Sequence, residues 1–93
     1  MAELVVRLAT DCYVVWSRTV DAPTTTVLGR QTMAQHLRKH HHLPPEEAES
    51  LLAVADTNGT SDAATSVVDV VRSNRAGPGE AALSLEEIIE QYR

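Results

Sequence analysis

Four histidines fall between positions 36 and 42, as His36, His40, His41 and His42, and they form the densest set of side chains here able to hold a metal or move a proton. Imidazole titrates near neutrality, and its neutral nitrogen is a ligand for transition metals. His36 and His40 are four residues apart, one turn on a helix, so both rings can chelate a single zinc or other transition-metal ion. His41, or a carboxylate from another element, would complete a tetrahedron. Two features oppose this. Leu37 stands where a zinc protease of this spacing has its glutamate, and Arg38 and Lys39 add positive charge beside the would-be cation. Without a metal, His40 and His41 edge an apolar helix face and His36 and His42 are solvated, the helix C-terminus favouring their protonated forms.

Other reactive groups are sparse. The single cysteine, Cys12, lies in a hydrophobic run where a thiol acts as a small inert core residue, although a histidine base would make it a nucleophile. No serine sits in a G-x-S-x-G elbow. The run from Asp56 to Asp62 resembles a calcium loop in composition, yet its sixth position is Ser61 rather than glycine and its twelfth is Val67 rather than glutamate. Gly77 and Gly79 lack the Lys-Ser/Thr ending of a phosphate-cradling loop. The expectation is a non-enzymatic protein without a cofactor.

Composition narrows the class further. The 93 residues are 43% hydrophobic and 23% charged, which fits one ordinary globular domain over 1–93. Phe is absent, so the core must be aliphatic apart from Tyr13, Trp16 and Tyr92. Net charge is −5, and residues 1–44 carry five Arg and Lys against three Asp and Glu while residues 45–93 carry three against ten. An acidic second half repels phosphate backbones, which argues against nucleic acid. The first residues lack the basic flank and long apolar run of a signal peptide or membrane span. With one cysteine and so no internal disulfide, a cytoplasmic setting is expected. Seven arginines to one lysine, with abundant Ala and Val, suggest a bacterial or phage origin.

The elements that would position these groups follow from periodicity. Leu4, Val6 and Leu8 alternate with Val5 and Arg7, and residues 12–20 are rich in β-branched and aromatic types, so a hairpin is predicted with its turn near 9–11. Pro23 interrupts the pattern, and Val27 and Leu28 offer a short third strand. Residues 30–42 place Met33, Ala34, Leu37, His40 and His41 on one helical side. Pro44 and Pro45 end that helix and start another, which runs through Ala48, Leu51, Leu52 and Ala55 to a stop at Asn58-Gly59. Thr60, Ser61 or Asp62 would cap a third helix with Ala63, Ala64, Val67, Val70 and Val71 on one face. Ser84 to Glu87 form a capping box, Leu83 and Ile88 a hydrophobic staple, and Leu85, Ile88, Ile89 and Tyr92 the stripe of a fourth helix. The fold class is therefore α+β, an N-terminal antiparallel β-hairpin or three-stranded sheet packed against about four short helices.

Such a scaffold is expected to bind another protein. Trp16, Arg7 and Arg18 lie on the hairpin, and tryptophan and arginine are frequent interface anchors, although a core place covering helices is the commoner one for Trp16 and a solvated strand face for the arginines. The loops holding Asp21, Asn74 and Arg75 supply adaptable polar surface. The unequal charge of the two halves also permits a homo-oligomer. Two alternatives stand: a metal-binding protein using His36 and His40, and a helix-turn-helix-like DNA binder relying on Arg30, Arg38 and Lys39.

Overall fold

The structure, a computed structural model, describes residues 3–93. Strand β1 (Glu3–Ala9) pairs antiparallel with β2 (Cys12–Ser17), and the two-residue β3 (Ala22–Pro23) adds an edge, giving a sheet of order β1-β2-β3. Four helices follow: α1 (Arg30–His40), α2 (Pro45–Asn58), α3 (Val67–Arg72) and α4 (Leu85–Gln91). This is the expected α+β arrangement.

Because side chains alternate along a strand, the hairpin sends residues to two faces, and both are covered. Leu4, Val6, Leu8, Val14 and Trp16 meet Val70 of α3 and Ile88 of α4. Val5, Tyr13 and Val15 meet Met33 and Leu37 of α1 with Ala48, Leu52 and Ala55 of α2. The sheet is thus the middle layer, which is why nearly every residue of β2 is apolar and buried.

The third strand is not at Val27 and Leu28 but at Ala22–Pro23. An edge has no partner for the missing Pro23 N–H, so proline is tolerated there. Beyond it the Thr24 N–H donates to the Val15 carbonyl at 2.8 Å, and the Val15 N–H donates to the Thr25 hydroxyl at 3.1 Å. Leu28 forms only an isolated bridge with Tyr13.

The third helix also departs from expectation. It starts at Val67 with Ser66 as its cap, the Ser66 Oγ accepting from the Asp69 N–H at 3.1 Å. Residues 59–61 cannot be helical because they line the free edge of β1: the Arg7 N–H donates to the Gly59 carbonyl and the Ser61 N–H to the Val5 carbonyl, both at 2.8 Å. Ala63 and Ala64 lie exposed rather than on a buried face. Thr60 is fully buried, its hydroxyl bridging to the carbonyls of Asp62 and Thr65 at 2.8 and 2.7 Å.

Local instructions elsewhere are followed. Pro45 opens α2, and Gly59 closes it at φ 89°, the left-handed region where glycine avoids a Cβ penalty. Ser84 and Glu87 form the capping box of α4. One cap comes from far away in the chain. Gly29 has no side chain to cap α1, and Asp11 in the hairpin turn accepts from the Arg30 N–H at 2.8 Å instead. A Cβ on Gly29 would sit 3.1 Å from that carboxylate, so the bare glycine is what lets it approach.

Candidate functional site

Helix α1 carries the histidines as its period requires. His36 and His40 bring their ring centroids to 4.6 Å with planes 33° apart, and His41, the cap residue, lies 5.4 Å from His36. His36 and His41 are half-buried, and His40 is exposed. His42 leaves the group, because its backbone turns left-handed at φ 55° and its side chain is exposed. Burial, and then the rings of His40 and His41, push His36 below the ordinary imidazole value, while Glu3 pulls it upward. Among the described residues, no group of three or more His, Cys, Asp and Glu is set out as a metal cage.

His41 also edges an apolar slot of about 100 Å³ at the end of the sheet. Leu4 and Val5 of β1, Val15 of β2, Leu37 of α1, Leu43 of the α1–α2 turn and Leu51 of α2 line it, with Glu3 and Ser61 as polar rim. A second depression, of about 320 Å³, shares Glu3, Leu4, Leu51 and Ser61 with the slot and continues to Arg18 and Asp62. Arg18 pairs with Asp62 and donates to the Thr65 hydroxyl at 2.6 Å, so this shelf ends in a satisfied polar cluster. That arginine and the Ala64 N–H hold the Asp62 carboxyl below its usual range, the backbone bond contributing most.

A polar network on the same side of the sheet was not legible in the sequence. The buried Tyr13 donates its hydroxyl to Asp56, which also receives Arg30 Nε at 2.9 Å and stands 4.0 Å from Arg7 Nε. Arg30 reaches Glu49 as well, at 2.8 Å. The Tyr13 hydrogen bond first, and then Arg30, hold Asp56 below the usual carboxylate range, while burial and Asp56 raise Tyr13. The network ties β2, α1 and α2 together and uses each charge against a neighbour. The failed calcium loop containing Asp56 therefore has a structural role for its first residue.

The remaining sequence candidates do not form one surface. Trp16 is 2% exposed and packs in the core between β2 and the α3–α4 layer, which is the core role expected of it and removes it from the candidate anchors. Asn74, at 3% exposure, is likewise internal: its amide spans the carbonyls of Val71 and Leu83 and the N–H groups of Ala76 and Leu83. Asp21 and Arg75 do meet, through an Arg75 N–H to Asp21 carbonyl bond of 2.7 Å, and Arg75 lies 3.8 Å from Glu80. Asp21 and Arg18 edge a shelf with Thr65, Asp69 and Ser73, whereas Arg7 sits on the opposite face of the sheet near Asp56. The DNA-binding alternative needs Arg30, but Glu49 and Asp56 already hold it. Cys12 packs with the α3–α4 side and the histidines ride on α1, so sheet separates thiol from imidazole.

No protein-family model, curated protein or solved structure matches the chain.

Proposed function

We propose that the chain is a non-enzymatic protein-binding domain that seats one aliphatic side chain of a partner in the slot formed by Val5, Val15, Leu37, Leu43 and Leu51. The observation that carries this is an apolar concavity of about 100 Å³ open to solvent with a polar rim. At about 100 Å³ the slot is the size of a single side chain, and a single buried anchor ringed by polar contacts is the common form of an interface hot spot. The shelf ending at Arg18 and Asp62 gives the partner's flanking backbone a polar path. The separation of Cys12 from the histidines weighs against nucleophilic catalysis. No helix among the described residues is long and apolar enough to cross a membrane. A reducing cytoplasmic setting belongs to the same proposal and rests on the single free Cys12.

Leu51 is half-buried at the slot's rim, so Leu51→Glu places a charge in the opening while leaving the core residues Leu52 and Ala55 untouched. Capture from the native host, with wild type and Leu51→Glu side by side, is the test. A partner retained by the wild type and lost by the variant is expected. Equal retention by both, or self-association as the sole interaction in sedimentation, would overturn the reading.

A further inference from the structure

Two imidazoles coordinating one ion, each nitrogen about 2.0–2.1 Å from the metal at a near-tetrahedral angle, have ring centroids roughly 5 Å apart. The ring centroids of His36 and His40 lie 4.6 Å apart, so the helix already supplies this spacing and side-chain rotation alone has to aim the nitrogens. Their nitrogens enter no hydrogen bond or ion pair with protein groups among the described residues, so nothing has to be broken to bind an ion. Both line an open depression of about 230 Å³ with Leu28, Thr32, Gln35 and Lys39, room enough for an ion with its waters. The pair sits in the last turn and a half of α1, where unsatisfied carbonyls and the negative end of the helix dipole favour a cation. His41, although its ring lies 5.4 Å from His36, borders the apolar slot rather than this depression, whose own imidazoles are His36 and His40.

We propose that His36 and His40 form a bidentate surface site for a borderline transition-metal dication, Cu²⁺, Ni²⁺ or Zn²⁺, with water filling the other positions. This inference is independent of the anchor slot. Neutral imidazole selects these ions over Mg²⁺ and Ca²⁺, which prefer oxygen, and the Irving–Williams order places Cu²⁺ first. Lys39 in the same depression and Arg38 beside it lower the affinity, and two protein ligands give an exchangeable ion rather than a permanent one.

The test uses untagged, chelator-stripped protein titrated calorimetrically with CuCl₂, NiCl₂ and ZnCl₂, with MgCl₂ as control. One ion per chain is expected, with Cu²⁺ binding at a Kd on the order of micromolar and MgCl₂ giving no heat. His40→Ala should weaken Cu²⁺ by on the order of tenfold or more, and His36→Gln should do the same, while His42→Ala leaves it unchanged. Circular dichroism of each variant checks the fold, and His40, being exposed, can be replaced without opening the core. Binding only at millimolar metal, or micromolar binding indifferent to His36 and His40, overturns the proposal.

Discussion

Replacing Asn74 by alanine removes one buried amide that answers four backbone groups at once. Its Nδ2 donates to the carbonyls of Val71 and Leu83, and its Oδ1 accepts from the N–H groups of Ala76 and Leu83. Each such bond contributes about 1 kcal/mol net, and a buried group left without a partner costs about 1–3 kcal/mol. The neighbouring Ala81 and Ala82 are exposed, so water can reach part of the vacated site and recover some of that loss. The working figure is then about 3 kcal/mol, a large share of the roughly 5–14 kcal/mol expected for a domain of this length. The loss is concentrated where α4 docks, because the Ala76 carbonyl receives Gln91 Nε2 and the Tyr92 hydroxyl, both at 2.9 Å. Urea unfolding followed by the fluorescence of Trp16, the sole tryptophan and a buried one, reads this directly. Asn74→Asp is the sharper comparison: at neutral pH its carboxylate keeps the two accepted bonds but faces the Val71 and Leu83 carbonyls without a proton to give. It should lose at least as much stability as alanine and regain part on acidification, when one oxygen becomes a donor. An Asn74→Ala variant within about 0.5 kcal/mol of wild type, or an Asn74→Asp variant of wild-type stability at neutral pH, would refute the reasoning.

Three further outcomes are expected. Gly59→Ala should cost about 1–2 kcal/mol from the left-handed backbone alone, and more because the new Cβ meets Val67 Cβ at 3.0 Å, whereas Gly79→Ala at φ 65° has nothing within 4 Å and should show only the backbone cost in the same urea assay. Asp11→Ala removes the distant cap of α1 and should lose about 1 kcal/mol, read as a lower thermal midpoint; a change equal to that of a random exposed substitution would count against the cap. Asp56 has a folded-state pKa held below its unfolded value, so the folded state releases that proton more readily. The associated stability is complete above the ordinary carboxylate pKa of about 4 and is lost as pH falls through the lower folded value. Tyr13 is raised, so its contribution is complete below about 10 and is lost as pH climbs through the folded value. An acid and base titration of the unfolding midpoint checks both limbs. Asp56→Asn should flatten the acid limb, and Tyr13→Phe the alkaline one.

The parts of the fold that were readable in the chain are those whose causes lie within a few residues. Alternating Leu4, Val6 and Leu8 define strand faces, Pro45 and Gly59 bracket α2, and Ser84 with Glu87 starts α4, each through sterics or hydrogen bonds spanning about a turn. The pairing of His36 with His40 was readable for the same reason, since helix period alone brings residues four apart together. Position in the third dimension decided the rest. Tyr13 meets Asp56 across 43 positions, and Asp11 caps α1 across 19. Residues 59–61 forgo helix because the edge of β1 offers their backbone groups partners. Trp16 is core rather than anchor because helices cover both faces of the sheet, and the slot exists only where β1, β2, α1 and α2 converge. Sequence spacing specifies bonds between near neighbours, whereas which distant groups share a face depends on how whole layers pack to bury apolar area and satisfy every backbone group they enclose.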